Sequence, residues 1–590
     1  MSLERRFTGG WRVALALQAA LVALTLVRLA VTRESAFGVD PCLSCQAVTL
    51  VQHDAGLWAL AWGVLLVAAL GATWLRVTGV IVFIALFLLM VADTLVMALY
   101  GMRLFLGDLV KFGAQPGAVL LVGHQSIGVT GLLAGVVAVI VVAWLAVRAT
   151  RGPGATGRLA VLLAVCAGAY LLPDRVGHSL PWTYQNLVEA NWPTGADRPY
   201  SDEMKARLSA TDDVASAQPL CEAGEALQSD VIVVVVESLS WYHSGLLLAD
   251  NLGATPRLDD LARDHTWWSA FHANGWTTDH ALVALIAGEV PLPAVGRYHS
   301  LDAFGGYGGG PQTLPARLAR DGYFSAFFTT GPLGFLDKGA WLAAQGFDLV
   351  EGGEHPAYRD VPKYAFGSAG DSVLYQRVID WLDAERPPGQ PVMLFLETVT
   401  THPPFIDPDS GRKDEVATFR YADQALAAFV EALDQAGWLE KNLLIITSDQ
   451  RALTPYTPAE RAQFGNAASA RLPLVVLGGA REPAGRQDKP AQMIDLPYSL
   501  DRLLTNEACR RPGQGDWFSG ESPQCILQPE GNERAIINAW CGPETIRIRM
   551  DGDDTRVIEG NMPDQEQWIE RINERRIRLG EREATIERVL

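Results

Sequence analysis

The chain has 590 residues, of which 49% are hydrophobic, and a net charge of −18 at neutral pH. At this length a single hydrophobic core no longer suffices, so more than one domain is expected. The excess of 66 acidic over 48 basic residues excludes a role in nucleic-acid binding that depends on a basic surface.

Apolar residues crowd the first third of the chain in blocks of about 20, the length that crosses a bilayer. A cleaved signal peptide is the alternative for the first block, but a small-residue cleavage site is lacking and further blocks follow. The pattern predicts an α-helical membrane domain over residues 1–172. Its roughly five transmembrane helices lie near Trp11–Val31, Leu57–Leu75, Val80–Tyr100, Ile127–Val147 and Gly157–Leu172, the last being short.

The arginines that flank these spans predict the orientation. They precede the first span or lie between spans two and three and spans four and five, at Arg5, Arg6, Arg12, Arg76, Arg148, Arg151 and Arg158. Positive residues favour the cytoplasmic side, so an odd number of spans places everything after Leu172 outside the cytoplasm. In a bacterium this means the inner membrane, with the soluble part in the periplasm or at the cell surface.

Six of the seven cysteines fall on the predicted outer side, where disulfides form. In the soluble part, the short loop between Cys509 and Cys525 favours a disulfide between these two. The pair in "CLSC", Cys42 and Cys45, is expected to be a local disulfide or two free thiols, with a redox or metal site as the alternative.

Residues 173–229 are polar and rich in turns, which predicts a juxtamembrane linker along the bilayer. From residue 230 to residue 504, short β-branched runs alternate with amphipathic helical stretches. The runs are "DVIVVVVE", "FSAFFTT", "PVMLFLETV", "NLLIITSD" and "RLPLVVLGG". Such alternation predicts an α/β domain with a mostly parallel sheet covered on both faces. Residues 505–590 form a C-terminal extension, with a charged helix expected from about Gln565.

In α/β sheets ligands bind where the strands end, so the residues that follow the strands are the candidates for chemistry. Glu237 follows the valine run, and Asp449 and Gln450 follow "NLLIITS". A buried carboxylate needs compensation, which a divalent cation supplies; a helix-capping role is the equally plausible alternative for Glu237.

Two further candidates occupy turns. Thr277 and Thr278 precede an apolar helical stretch, where a threonine is either a helix cap or, beside a phosphoryl group, a nucleophile. His402 ends the third strand before two prolines and is either structural or a contact for a phosphate.

The chain resembles the membrane-anchored phosphoglycerol transferase I group and, more distantly, the lipoteichoic acid synthases, both of the alkaline phosphatase (sulfatase-like) superfamily. The motifs that carry the resemblance are "VVVVESLSWY", "TPRLDDLA", "NGWTTDHALVALIAGEVPL", "LARDGYFSAFFTTGPLGF", "QGFD", "FGSAGDS", "TVTTHPPF", "RYADQAL" and "TSDQRAL". They extend roughly from Asp230 to Leu504 in the order of the family.

The resemblance implies that Glu237, Asp449 and Thr277 hold one divalent metal, that Thr277 is the nucleophile and that His402 contacts the phosphoglycerol group. Thr278 is the runner-up nucleophile. The reaction implied is ping-pong: phosphatidylglycerol donates the phosphoglycerol group to the threonine, and a periplasmic glycan accepts it.

The chain departs from the family at Gln450, where the family carries histidine. Imidazole suits zinc or manganese, whereas an amide oxygen suits a hard cation such as magnesium, so Gln450 leaves a weak ligand or none. His280 is a second candidate for the missing imidazole; a position on a helix surface is the alternative.

Other functions remain open at this stage. A sulfatase or phosphodiesterase shares the fold, but the C/S-x-P-x-R motif is absent, and the cysteine-flanked segment of phosphoethanolamine transferases is absent around Thr277. A catalytically degenerate protein that binds a lipid or glycan, or acts as a sensor, is the remaining alternative, and Gln450 is its main support.

Overall fold

The computed structural model describes residues 3–35, 43–113, 116–172, 181–210, 220–295, 304, 306–479 and 485–589. The chain forms two compact units. The first comprises Met1–Leu106, Gly123–Trp192 and Leu453–Tyr456, and the second comprises Gly107–Val122, Pro193–Ala452 and Thr457–Leu590. The domain boundaries expected from the sequence stay predictions.

The first part of the chain is helical, as the sequence predicts. The helices are α1 (Leu3–Ser35), α2 (Leu43–Leu70), α3 (Thr73–Tyr100), α4 (Leu106–Gly113), α5 (Pro116–Ala149) and α6 (Ala155–Tyr170). Among the described residues, four segments are long and apolar enough to cross a membrane: Gly10–Thr32, Ser44–Leu70, Thr73–Tyr100 and Leu120–Ala149. The fifth predicted span coincides with α6, which has only 16 residues.

Two ion pairs lie inside the helical unit. Asp93, an acid within a predicted span, accepts hydrogen bonds from Arg103 at 2.7 and 3.1 Å and from the backbone of Leu104. Arg28 pairs with Asp54 in the same unit. All four charged side chains are at most 5% exposed, and a buried charge of this kind is tolerated because it is paired.

The second unit alternates strands and helices. Its strands are β1 (Leu220–Ala223), β2 (Val231–Val236), β3 (Thr266–Trp268), β4 (Phe271–His272), β5 (Phe324–Thr329), β6 (Leu349–Glu351), β7 (Val392–Glu397), β8 (Leu443–Ser448), β9 (Arg471–Leu472), β10 (Leu474–Gly478), β11 (Gly485–Gln487), β12 (Ala491–Gln492), β13 (Glu507–Arg510), β14 (Ile526–Pro529), β15 (Ile536–Trp540), β16 (Thr545–Arg549) and β17 (Arg556–Glu559). After α7 (Leu187–Ala190) of the first unit, its helices are α8 (Asp202–Ala210), α9 (Pro256–Asp264), α10 (Thr278–Leu282), α11 (Leu314–Arg320), α12 (Lys338–Ala344), α13 (Asp371–Ala384), α14 (Glu415–Gln435), α15 (Pro458–Phe464), α16 (Leu496–Leu504) and α17 (Gln565–Val589).

An eight-stranded sheet in the order β11-β3-β10-β8-β2-β7-β5-β6 forms the centre of this unit. The strands from β8 to β6 run parallel, whereas β10 pairs antiparallel with β8 and β3. Every residue of β2, β7 and β8 is buried, because helices cover both faces of a parallel sheet. The predicted mostly parallel α/β fold is therefore confirmed, and each of the five predicted runs contains a strand.

The C-terminal region holds more structure than the sequence predicts. Besides the expected charged helix α17, strands β14 to β17 form a four-stranded antiparallel sheet. Its strands have only four or five residues. In β16 the two isoleucines are buried, whereas the threonine and the two arginines are partly or fully exposed. Such short, mixed strands give too weak a signal to separate from a loop.

The predicted Cys509–Cys525 disulfide is wrong. Strands β1 and β13 pair with Cys221 opposite Cys509, and these two form a disulfide. The sulfurs of Cys525 and Cys541, which flank the β14–β15 hairpin, form another. Strand pairing, not loop length, thus decides the partners. Cys42 lies outside the described residues, so the expectation for "CLSC" stays a prediction.

Candidate active site

The strand register brings the two candidate acids together. Strands β2 and β8 are parallel neighbours, and their last residues, Val236 and Ser448, stand opposite each other. Glu237 and Asp449 follow directly, so both carboxylates emerge side by side at the carboxyl edge of the sheet. They are only 4% and 1% exposed, respectively.

A tight turn after Glu237 connects the two acids. Ser238 has a positive φ of 58°, which is uncommon for a residue with a side chain. In this conformation the Ser238 N–H donates to Asp449 Oδ1 at 2.8 Å, and the Ser238 hydroxyl donates to Glu237 Oε1 at 2.7 Å. The strained turn therefore fixes the position of both carboxylates.

The two buried acids favour a bound cation at this site. Burial raises the pKa of Glu237 to about 7. Burial, together with the negative charge of Glu237, raises the pKa of Asp449 well above its usual range. Two buried carboxyl groups in contact are each costly in the charged form, so a bound cation would relieve the repulsion between them.

Of the threonine pair, the structure brings Thr278 to the acids. The Thr278 hydroxyl donates to Asp449 Oδ2 at 2.7 Å and lies 3.4 Å from Glu237 Oε2. Thr277, the residue before α10, has extended backbone dihedrals, and its hydroxyl donates to the Asp279 carboxylate instead. The structure thus differs from the expectation that the Thr277 hydroxyl faces Glu237 and Asp449.

Gln450 completes the group around the acids. Its side-chain Nε2 lies 3.5 Å from Glu237 Oε1, while its Oε1 is buried and has no hydrogen-bond partner among the residues that the structure describes. An unpaired buried acceptor is costly, and a cation would satisfy it. Glu237, Asp449 and Gln450 therefore fit a divalent metal through oxygen atoms, the donor type that magnesium, calcium and manganese prefer.

The two histidines of the sequence analysis are placed differently. His402 Nδ1 donates to the Pro403 carbonyl oxygen at 2.7 Å, which leaves the lone pair of the neutral ring on Nε2. Burial lowers the pKa of His402, and the negative charge of Asp449 opposes that shift. His280 Nδ1 accepts a hydrogen bond from the backbone N–H of Trp276, so this ring nitrogen serves the threonine loop.

A buried ion pair near Glu237, between Lys338 and Glu397, was not predicted from the sequence. Lys338 Nζ lies 2.8 and 2.6 Å from the two oxygens of Glu397. Glu397 ends β7 next to β2, and both charges act on Glu237. Glu397 could have been predicted as a site residue because it is the last residue of a strand. Lys338, the first residue of α12, has no sequence feature that predicts such a role.

A comparison with protein families identifies the domain that holds this site. Residues 229–505 match the family model described as Sulfatase. This region, slightly less than half of the chain, is similar to the sulfatase family and is called the sulfatase-like region below. The match begins just before β2 and ends just after α16, so it includes both acids, the threonine pair and His402 and leaves out the C-terminal sheet.

Curated relatives align with shorter stretches of the chain, of 217 and 198 residues. The chain is 25% identical over 217 residues to phosphoglycerol transferase I of Xanthomonas euvesicatoria, covering 34% of this chain and 31% of that protein. It is 25% identical over 198 residues to phosphoglycerol transferase I of Salmonella typhi, covering 30% of this chain and 25% of that protein. The sulfatase-like region thus resembles part of these relatives, and the aligned part of the chain spans less than a third of their length.

The fold also has a solved counterpart. A protein of the alkaline phosphatase superfamily from Vibrio parahaemolyticus superimposes with a TM-score of 0.50 at 16% sequence identity, covering 66% of this chain and 98% of that one. At this identity the likeness shows the fold alone. The predicted alkaline-phosphatase-like architecture is confirmed.

Proposed function

We propose that the chain is a membrane-bound transferase that moves a phosphoglycerol group from phosphatidylglycerol to a periplasmic or cell-surface glycan. The observation that carries the proposal is the contact of the Thr278 hydroxyl, next to Thr277, with the Asp449 carboxylate, in a region that is 25% identical to part of phosphoglycerol transferase I. The apolar helices would anchor it in the bacterial inner membrane, with the sulfatase-like region on the periplasmic side.

The proposed nucleophile is Thr277, with Thr278 as the runner-up. The Thr277 hydroxyl already donates to the Asp279 carboxylate, and an adjacent base of this kind activates a hydroxyl. The Thr277 oxygen would attack phosphorus and transfer its proton to Asp279, while the bond from phosphorus to the diacylglycerol oxygen breaks. Asp279 would pass this proton to the diacylglycerol oxygen as diacylglycerol leaves, so that Asp279 is again a carboxylate.

The second half of the reaction returns the threonine. A hydroxyl of the acceptor glycan would attack the phosphothreonine and give its proton to Asp279. The bond from phosphorus to the threonine oxygen breaks, and Asp279 returns that proton to Thr277. His402, through the Nε2 lone pair, would accept a hydrogen bond from the phosphoglycerol group or from the incoming hydroxyl. Lys338 would place positive charge near the transferred phosphate.

The metal that the family implies would be held by Glu237, Asp449 and Gln450, with a threonine hydroxyl as a further ligand. When bound, it would offset negative charge on the phosphoryl oxygens. Because all of these protein ligands are oxygens, we propose magnesium or manganese ahead of zinc.

A second candidate is a catalytically degenerate protein that binds the lipid or glycan without transferring it. Gln450 favours it, because an amide is a weaker ligand than imidazole, and so does the Thr278 hydroxyl, which already bridges the two acids. Both candidates share the binding site and differ in whether a threonine becomes phosphorylated.

Purified full-length protein incubated with glycerol-labelled phosphatidylglycerol separates the two. Transfer predicts diacylglycerol release and a label on the peptide that contains the threonine pair, lost in Thr277→Ala. Thr313→Ala is the matched control, since Thr313 also precedes a helix without capping it through its side chain. Binding without release or label, with magnesium, manganese and zinc each supplied, would contradict transfer. A label that persists in Thr277→Ala and disappears in Thr278→Ala would reassign the nucleophile.

A further inference from the structure

The loop that carries the threonine pair is held by the C-terminal sheet. Residues Asn274, Gly275 and Trp276 directly precede Thr277. Each contacts the stretch from Leu527 to Gly531, which contains the end of β14 and the turn after it. That stretch lies outside the region matched by the sulfatase family.

Asn274 provides the first contact. Its side chain is fully buried, and its Nδ2 donates to the Leu527 carbonyl oxygen at 3.0 Å and to Gln492 Oε1 at 2.8 Å. Its Oδ1 accepts from the backbone N–H of Ile494 at 3.1 Å. One amide thereby ties the loop to β14 and to the segment after β12, with no polar atom left unpaired.

Gln528 provides the second contact. It is also fully buried, and its Nε2 donates to the Gly275 carbonyl oxygen at 2.8 Å and to the Ser469 carbonyl oxygen at 3.3 Å. The Ser469 hydroxyl in turn donates to Gln528 Oε1 at 2.9 Å. The carbonyl that Gln528 holds lies two residues before Thr277, so its position fixes the approach of the chain to α10.

Gly531 provides the third contact, through steric fit. A Cβ at position 531 would lie 2.4 Å from Trp276 Cδ1 and 2.5 Å from Cγ. The Trp276 indole is only 8% exposed and cannot move away without shifting the loop. Packing at this density transmits displacement rather than absorbing it.

We propose that the C-terminal sheet is a template that sets the position of the threonine pair, with Gln528 and Gly531 as positioning residues. The inference about catalysis rests on the proposed transfer function; the inference about the loop does not. Residues 505–590 are then part of the catalytic unit. Small displacements matter in this setting, because a reacting group must be held close to its productive geometry.

Hydrogen–deuterium exchange on the full-length protein in detergent tests the loop directly. Gly531→Ala should accelerate exchange in the peptide covering residues 273–283, where the Ala281 N–H donates to the Thr277 carbonyl oxygen, by about fivefold or more, because the local opening free energy falls. Gly542→Ala is the matched control, since a Cβ at Gly542, in the turn between β15 and β16, meets no described atom within 4 Å. The exchange rate of strand β8 should be the same in Gly531→Ala and Gly542→Ala.

Gln528→Met gives an independent readout if Gly531→Ala folds poorly, because it keeps the side-chain length and removes the amide. Equal exchange at residues 273–283 in wild type, Gly531→Ala and Gln528→Met would overturn the proposal.

Turnover then decides whether the position of the loop matters. In an active wild type, both variants should lower kcat for diacylglycerol release by about tenfold or more and leave KM for the lipid unchanged, since only the reacting group moves. Faster exchange with unaltered kcat would overturn the catalytic part. An inactive wild type would refute the proposed transfer, while the exchange experiment would still decide whether the sheet positions the loop.

Discussion

Thr278 Oγ1 lies 2.7 Å from Asp449 Oδ2 and 3.4 Å from Glu237 Oε2, so a single hydroxyl touches carboxylates that follow two different strands. The acids come from strands separated by more than 200 residues of chain, and the threonine comes from a helix between them. The contact therefore joins three segments at the carboxyl edge of the sheet.

Replacing Thr278 with valine tests the value of this contact for stability. The valine keeps the shape but removes the donor to a buried carboxylate, so we expect the metal-free protein to lose about 1–3 kcal/mol of unfolding free energy. Thr278→Ser retains the hydroxyl and should recover most of the loss. Thermal unfolding in chelator measures both, and a valine variant as stable as the serine variant would contradict the prediction.

Replacing Gln450 with histidine tests the metal preference. Calorimetry of the metal-free protein should show the wild type binding magnesium or manganese through oxygen ligands, and Gln450→His should raise zinc affinity by about tenfold or more, because imidazole is the better ligand for zinc. Gln524→His controls for zinc bound by any added histidine, since Gln524 is exposed on the second unit. Identical zinc affinities in the two histidine variants would refute a role for Gln450 as a ligand.

The Lys338–Glu397 pair predicts a strongly non-additive double mutant. Lys338→Met leaves Glu397, which is 4% exposed, without its cation, so we expect a loss of about 3–5 kcal/mol. Replacing both residues, as Lys338→Met with Glu397→Leu, should restore most of that stability because no charge remains buried. Chemical denaturation of the two variants measures the difference. A double variant less stable than the single one would show that the pair does more than neutralise a charge.

Asp495 predicts a measurable dependence of stability on pH. Burial raises its pKa to about 7, hydrogen bonds from the backbones of Gly515 and Gln492 oppose the shift, and the nearby Asp516, itself paired with Arg502, adds to it. An unfolded aspartate has a pKa of about 3.9. Between these values the folded state holds the extra proton, so the contribution of Asp495 to stability decreases as pH rises from about 4 to about 7.

Asp495→Asn removes this titration and should flatten the dependence. We expect the melting temperature of the variant to fall less than that of the wild type when pH is raised from about 5 to about 8, since the asparagine never has to lose a proton. Parallel curves for the two proteins would contradict the raised pKa of Asp495.

The sequence by itself determined the main strands of the central sheet and their order along the chain. Continuous valine, leucine and isoleucine runs predicted the buried parallel strands, because only a strand covered on both faces needs an unbroken apolar run. The residues just after the runs then identified Glu237, Asp449 and Gln450 as candidates, and the turn five residues beyond β7 identified His402, because parallel strands end at one edge of the sheet. The short strands of the C-terminal sheet lacked such a signal and were missed.

Only the tertiary structure decided which groups meet. The pairing of β1 with β13 joined Cys221 to Cys509 across 288 residues, and no local pattern encodes a partner at that distance. With the backbone dihedrals of Thr277, its hydroxyl donates to Asp279. The hydroxyl that contacts Glu237 and Asp449 therefore belongs to Thr278. Gln528 reached the threonine loop through the packing of a sheet that follows it by about 250 residues. The position of a residue relative to the predicted elements indicates its candidate role. Strand register and packing determine which other residues it contacts.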